Sequence, residues 1–256
     1  MAELPVRRHA LILAHLEHHS GARTTELAAL FDVTRETIRN DLAHLANRKL
    51  LRLVRGGAVA IGIKEPELAE RLTANPEGKA LIAERALDLV PDGARVILDS
   101  GSTTLELARQ LRIRTGLKVW TNDIAIALEL TPVAQVTLLG GKLDPTERTL
   151  GGPDAIDMMN GHTADLAFVS LGGLSAAHGL TDFSGSGLAL RRAMIAASMD
   201  AYFLADQTKF GRSAPLRWKP MAKARGVICD AKPDPQIVER LEALGLSLML
   251  PQAEAS

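Results

Sequence analysis

The sequence predicts two parts: an N-terminal winged helix-turn-helix and a larger α/β domain. Three observations predict it. The first 58 residues read as amphipathic helices followed by a glycine-turned hairpin. From Ala94 onward, short β-rich runs alternate with amphipathic helical runs. A stretch holding Glu65, Pro66, Glu67, Pro76 and Gly78 separates the two patterns. The expected divisions are residues 1–60 for the winged unit, 61–78 for a linker and 79–256 for the α/β domain.

The elements follow in order. Pro5 to His19 carries Leu11, Ile12, Leu13 and Leu16 and reads as a first helix, ended by Gly21. Thr24 suits the cap of a short second helix with Leu27, Ala28, Leu30 and Phe31 apolar. Asp32-Val33 makes a tight turn, and Thr34 caps a third helix to about Lys49. On that helix, with Arg35 at zero, Ile38, Leu42 and Leu45 fall at about 300°, 340° and 280°, so one stripe faces the other helices. Glu36, Asn40 and Ala43 lie opposite, Thr37 and Arg39 flank them, and Arg35 projects from the first turn. This gathers polar groups able to meet phosphates and base edges. Leu50 to Val59 then reads as a basic hairpin whose Gly56-Gly57 pair supplies the positive φ angles of the turn. Arg55 at its tip would reach a phosphate or an adjacent minor groove.

Arg8, the run Phe31-Asp32-Val33-Thr34-Arg35-Glu36-Thr37-Ile38-Arg39-Asn40-Asp41-Leu42 and the run Leu50-Leu51-Arg52-Leu53-Val54-Arg55-Gly56-Gly57-Ala58 together resemble the DNA-binding module of DeoR-type bacterial transcription regulators. The resemblance implies a DNA-reading role for Arg35, Glu36, Thr37, Arg39, Asn40 and Arg55. The family often has Arg or Lys where this chain has Asn40, an amide suited to reading adenine.

The α/β part repeats one physical theme. Ala94-Arg95-Val96-Ile97-Leu98 reads as a buried strand running into Asp99-Ser100-Gly101-Ser102-Thr103-Thr104 and then a helix. A hydroxyl-rich loop at a helix N-terminus suits an anion, because its N–H groups are unpaired and the helix dipole favours negative charge. The competing expectation is that Ser102 and Thr103 merely cap the helix. Strands also run into Thr121-Asn122-Asp123, Gly140-Gly141, Gly172-Gly173 and Ala205-Asp206-Gln207-Thr208-Lys209. Ligands of open α/β sheets sit beyond such carboxyl ends. No P-loop lysine or dinucleotide glycine spacing is present.

These loops, with Gly151-Gly152-Pro153 and Ala164-Asp165-Leu166-Ala167-Phe168, resemble the effector domain of the same DeoR family. The resemblance implies a fold similar to ribose-5-phosphate isomerase and CoA transferases, and a phosphorylated sugar or polyol as effector. Carried over, Ser100, Gly101, Ser102, Thr103 and Thr104 would hold the phosphate. Asp99, Asn122, Gly140, Gly141, Asp182, Asp206 and Lys209 would line the pocket. The segment Thr181-Asp182-Phe183-Ser184-Gly185-Ser186-Gly187 has no Glu and departs from the family, which usually places an acidic residue just before the Arg-Arg-Ala-Met-Ile helix.

Composition limits the alternatives. The 256 residues balance 30 Lys+Arg against 30 Asp+Glu, and 46% are apolar, as in globular proteins. The balance is uneven: residues 1–58 hold 9 Lys/Arg against 6 Asp/Glu, and five of the seven histidines. That excess suits a polyanionic partner. No apolar run approaches the ~18 residues of a membrane span. The apolar run Ala10–Leu16 after Arg7-Arg8 is interrupted by His15, Glu17, His18 and His19, unlike a leader. The single cysteine, Cys229, leaves no internal disulfide, and a reducing cytoplasm is expected. Cys229, Trp120 and Trp218 read as packing residues. The N-terminal histidines read as solvated, with no metal site, no cofactor and no catalytic residue expected.

The expected function is a transcription regulator, a repressor of a sugar or polyol operon. Its expected partners are double-stranded operator DNA, a phosphorylated effector and further copies of the chain, as a dimer or tetramer. The rivals are a sugar-phosphate isomerase using Asp99, Asp206 or Lys209, and an adaptor that binds RNA or protein.

Overall fold

The computed structural model describes residues 5–19, 21–48, 50–54, 56–60 and 65–251. The chain forms two compact units. One comprises Met1–Lys64 with Gly211–Pro215, the other Glu65–Phe210 with Leu216–Ser256.

The first unit holds α1 (Pro5–His19), β1 (Gly21–Arg23), α2 (Thr24–Leu30), α3 (Arg35–Asn47), β2 (Leu51–Val54) and β3 (Gly57–Ala60). Ile12, Leu16, Leu27, Ile38, Leu42, Leu45 and Leu51 make its core. The expected stripe of α3 is therefore buried as the periodicity requires. Thr34 caps α3, accepting from the Thr37 amide at 3.0 Å. Thr24 is the first helical residue of α2 rather than its cap; Glu26 accepts from the Arg23 amide at 2.9 Å instead.

The wing has three strands in the order β1-β3-β2. The third strand, β1, was hidden because Gly-Ala-Arg carries no alternation. It also changes the account of the glycine pair. Gly56 takes φ +85°, as the turn demands. Gly57 lies in β3, and a Cβ there would stand 2.1 Å from the Ala22 carbonyl oxygen, so it is small because β1 comes close.

The second unit opens with α4 (Leu68–Thr73) and α5 (Pro76–Leu87). The α/β unit starts at Glu65 rather than 79, because the segment before 79 is bonded into it: Asn75 Nδ2 donates to Asp230 Oδ2 at 2.7 Å, and Arg71 pairs with Glu147. There follow β4 (Arg95–Leu98), α6 (Ser102–Leu111), β5 (Lys118–Thr121), α7 (Ile124–Leu130), β6 (Gln135–Leu138), β7 (Lys142–Asp144) and β8 (Thr149–Gly151). Then come α8 (Pro153–Asn160), β9 (Ala164–Ser170), β10 (Gly173–Ser175), β11 (Gly179–Asp182), α9 (Gly185–Ala196) and β12 (Ser198–Leu204). A 3₁₀ turn (Gln207–Lys209), β13 (Leu216–Arg217), β14 (Ala224–Ile228), α10 (Pro235–Ala243) and β15 (Ser247–Met249) complete it.

Seven strands form one sheet in the order β15-β14-β12-β9-β4-β5-β6, and every pairing in it is parallel. Both faces are covered, as parallel sheets require. Val96 and Leu98 pack into one core and Ile97, between them, into the other. The chain order reverses between β4 and β9: β5 and β6 extend one way, β12, β14 and β15 the other. The crevice beyond the carboxyl ends of β4 and β9 is therefore the topological switch point, where open sheets hold ligands. No helix among the described residues is long and apolar enough to cross a membrane.

Candidate functional site

Asp99 follows β4 directly at this switch point. It is buried, and its Oδ2 accepts from the Ser170 amide at the end of β9 at 2.9 Å. The same oxygen accepts from Arg191 Nε at 2.6 Å. Arg191 Nη1 donates to both oxygens of buried Asp182, at 3.1 and 3.0 Å. One guanidinium thus stands between two carboxylates. Burial works against its charge, but Asp99 and Asp182 outweigh that and hold its pKa above the ordinary arginine value. Burial pushes the Asp182 carboxyl above its usual range, against the pull of Arg191.

A cavity of about 590 Å³ opens beside this triad. Asp99, Ser100, Asn122 and Arg191 form part of its wall, with Ser184, Ser186 and Gly187 at the start of α9. Its other charged groups are Glu65, Arg71, Lys142, Asp144 and Glu147. Three cations and several carboxylates around one volume suit a ligand carrying both an anionic group and hydroxyls. Buried Asn122 donates from Nδ2 to the Leu150 carbonyl at 3.1 Å, while its Oδ1 has no partner.

The predicted pocket residues divide. Asp99, Ser100 and Asn122 come together at the cavity, with Asp182 behind them on Arg191. The loop Ser100–Thr104 contributes only Ser100 to the wall. Gly101 is the cap position of α6, and its amide is turned to Asp123. The Thr104 hydroxyl is spent on the Gly101 carbonyl at 2.9 Å. Thr103 is buried, and Ser102 begins the helix without capping it. Gly140 and Gly141 stand off the cavity wall, where a Cβ at Gly141 would lie 2.4 Å from the Gly151 carbonyl oxygen.

Asp206 and Lys209 do not line this cavity either. Asp206 is buried and starts the 3₁₀ turn, accepting from the Thr208 amide at 2.8 Å. Its charge faces the buried Lys79, whose pKa burial lowers and Asp206 partly restores. Lys209 ends that turn. Asp206 thus belongs to the polar surroundings of Lys79 on α5 and not to the cavity wall.

The segment Ser184–Gly187 starts α9, with Ser184 as its cap. Ser184 Oγ accepts from the Gly187 amide at 3.1 Å, and the Ser184 and Ser186 hydroxyls lie 3.1 Å apart. Gly187 leaves room for the triad, since a Cβ there would stand 3.0 Å from Arg191 Nη1. Sequence reasoning missed Arg191, although a signal existed. It falls three residues after Leu188 and four before Ile195, on a stripe that is otherwise apolar.

On the winged unit, Arg35, Glu36, Arg39 and Asn40 are exposed on α3. Arg39 Nη1 pairs with Glu36 at 3.3 Å with both side chains 69% exposed, a contact weak enough to yield to a phosphate. Thr37 is partly committed: its hydroxyl lies 2.8 Å from that of Thr34 in the cap. Arg55 lies outside the described residues. The histidines are not all solvated. His9 stacks on His44 at 5.0 Å, and its Nε2 lies 2.8 Å from Asp41 Oδ1. No group of acids, histidines and cysteine among the described residues forms a metal site. Cys229 is buried, and burial pushes its thiol up to about 12.

Comparison with known proteins bears on both units. Residues 8–64 match the DeoR-like helix-turn-helix domain, and residues 74–231 match the DeoR C terminal sensor domain. The HTH-type transcriptional regulator GolR of Listeria innocua is 30% identical, over 96% of this chain and 98% of that protein. The HTH-type transcriptional repressor CsqR of Escherichia coli is 28% identical, over 97% and 96%. The HTH-type transcriptional repressor GlcR of Bacillus subtilis is 29% identical, over 95% of each. Among solved structures, a ribose 5-phosphate isomerase from Methanocaldococcus jannaschii aligns with 54% of this chain and 55% of its own, at 18% identity and a TM-score of 0.40.

Proposed function

The chain belongs to the DeoR family of DNA-binding transcription regulators, and on that premise we propose that it represses a sugar or polyol operon until a phosphorylated effector enters the cavity beside Arg191. The observation that carries the effector reading is the cavity at the switch point, with a buried arginine between two carboxylates. Hydroxyls of the effector meet Asp99 and Asn122, which offer acceptors and an amide. Its phosphate meets Arg191, Arg71 and Lys142, helped by the hydroxyls of Ser100, Ser184 and Ser186. The dianion thereby gains the cations that an unphosphorylated sugar cannot use. Binding better to one of two states, the effector shifts the population between them and changes DNA occupancy.

The DNA contact is made by α3, with Arg35, Arg39 and Asn40 outward, and the sequence offers Arg55 as a further phosphate contact. Paired half-sites follow if the chain acts as a dimer or tetramer. Contacts to several phosphates make the affinity fall steeply between ~50 and ~200 mM salt.

The test is a thermal-shift screen of the full chain against phosphorylated and unphosphorylated sugars and polyols, each hit then added to a DNA-binding assay. A phosphorylated compound should raise the melting temperature by mass action and change DNA affinity, while its unphosphorylated counterpart does neither. Stabilisation by unphosphorylated compounds alone would remove the phosphate from the proposal. A hit that leaves DNA affinity unchanged would remove the regulatory role of the cavity.

A further inference from the structure

Arg71 of α4 is held from several sides. Its Nε donates to the Pro66 carbonyl at 3.0 Å, and its Nη1 lies 3.2 Å from Glu65 Oε1. Its Nη2 pairs with Glu147. Its own carbonyl accepts from Nζ of the buried Lys79, which also donates to the Ala74 carbonyl. The other partner is positioned as firmly. Asp144 Oδ1 accepts from the Thr146 and Glu147 amides at 2.9 and 3.1 Å, which shapes the turn between β7 and β8. Arg71 and Glu147 are 76 residues apart in sequence, so no local preference brings them together.

A purely structural staple would be sealed from the ligand volume, and this one is not. Glu65, Arg71 and Glu147 all line the 590 Å³ cavity. The two glutamate side chains are 30% and 31% exposed, whereas Arg71 is 12% exposed. Half-wet carboxylates on a well-seated arginine can be exchanged for a stronger anion at little cost. The negative charge of Glu65 also reaches Asp182 and Arg191, so it stands in the field of the second arginine as well. Glu65 is the first residue of its unit along the chain from the winged unit.

We propose that Glu65 and Glu147 are built-in competitors for Arg71, and that an anionic group entering the cavity displaces them and frees the first residues of the sensor unit. This rests on the effector reading of the cavity. It adds a route by which occupancy reaches the boundary of the sensor unit: the released carboxylate belongs to Glu65, the first residue of that unit. A neutral sugar has no charge with which to take Arg71 and leaves the latch closed.

The experiment uses the full chain and its Glu65→Gln/Glu147→Gln double variant. The probes are inorganic phosphate, sorbitol 6-phosphate and sorbitol. Calorimetry reads affinity, and hydrogen exchange reads the amides of residues 65–74. The parent should exchange faster over 65–74 when a phosphorylated probe binds, and not with sorbitol. The double variant should exchange faster without any probe and bind the phosphorylated probe about fivefold tighter, because nothing competes for Arg71. Arg71→Lys, a point charge that cannot span both carboxylates, should also open 65–74 without a probe. Binding to the parent with unchanged exchange over 65–74 would overturn the latch and leave the effector reading standing. So would equal or weaker binding by the double variant. Failure of the parent to bind either phosphate-bearing probe would overturn the effector reading itself, and the latch with it.

Discussion

Arg8 and Arg191 each sit beside buried aspartates, one in each unit. Arg8 Nε donates to Asp41 Oδ2 at 2.6 Å and its Nη2 to Oδ1 at 3.1 Å, with His9 on the same carboxylate. The two side chains are 6% and 8% exposed, and the cluster ties α1 to α3. Arg191 faces two carboxylates, is 14% exposed, and borders a cavity. The first cluster puts Arg8 and His9 on one carboxylate, with the arginine and the aspartate both buried. The second leaves an excess carboxylate and keeps a volume beside it. A buried cluster centred on one carboxylate fixes the packing of α3, while an arginine shared by two carboxylates beside a cavity is arranged to receive something. The difference lies in stoichiometry and adjacent space, since the residue types are the same.

The largest expected effect is in the buried cluster. Arg8→Ala takes the guanidinium from a buried carboxylate, leaving His9 beside it, and should cost the winged unit about 3–5 kcal/mol. Denaturant unfolding of that unit checks this, and a loss under about 1 kcal/mol would mean that Asp41 is not dependent on its partner. DNA binding should fall with it, because Asp41 lies on α3 itself. Arg191→Gln should act differently. Removing a charged donor costs about 1.5–3 kcal/mol, so effector affinity should drop on the order of 10- to 100-fold while DNA binding persists. Adding Asp182→Asn should recover much of the lost stability without recovering affinity. Restored affinity in that double variant would show that Arg191 serves packing alone, and the contrast between the clusters would collapse.

The two clusters should also answer pH with opposite sign. For Asp41, burial works against the charged form, but hydrogen bonds from Arg8 and His9 outweigh it and hold the pKa below 3.8. Its contribution is present above pH 3.8 and is lost as pH falls through the lower native value. For Asp182, burial raises the pKa above 3.8, so the native state holds the proton more firmly than the unfolded state. Stability then declines as pH rises from 3.8 through the raised native value, and acidification relieves it. Both tryptophans, Trp120 and Trp218, lie in the sensor unit, so their fluorescence reports that unit alone. Buried Asp123 shifts the same way as Asp182, and Asp165, bonded to Arg95, shifts the opposite way. The difference between the parent and Asp182→Asn isolates the group. If that difference vanishes as pH rises above 3.8, the excess carboxylate costs the fold nothing.

The sequence carried the architecture because the parallel sheet writes itself in buried runs such as Val96–Leu98 and Ala167–Val169, each followed by small or polar residues. It carried Asp99, Ser100 and Asn122 for the same reason: they terminate strands at the switch point. Lys209 and Asp206 also follow a strand, and sequence has no means to tell which strand ends share a crevice. That depends on the order β12-β9-β4-β5, which pairs residues about 70 apart. Asp41 and Arg191 were legible by one rule. Each lies three residues after one buried apolar side chain and four before another, Ile38 and Leu45 in one case, Leu188 and Ile195 in the other. A charge on an apolar stripe is a buried charge, and a buried charge has a partner. The partners themselves, 33 residues away for Arg8 and 92 for Asp99, were not written locally.

The smallest effect should separate space from stability. Gly187 sits in the first turn of α9, where glycine disfavours the helix by roughly 1 kcal/mol relative to alanine. Gly187→Ala should therefore stabilise the sensor unit slightly if the helix were all that mattered. The added Cβ, however, would stand 3.0 Å from Arg191 Nη1 and 3.3 Å from Ser184 Cβ, closer than such contacts normally come. Arg191 must give way by a few tenths of an ångström, which lengthens its 3.0 and 3.1 Å contacts to Asp182. The expected result is opposite in sign for the two quantities: an unchanged or slightly raised melting temperature of the free chain, and an effector affinity lowered by about threefold. Calorimetry with the effector class found in the screen reads the second. Equal affinity in parent and variant would mean that the triad tolerates a shifted guanidinium, and that the glycine at this position serves only the turn into α9.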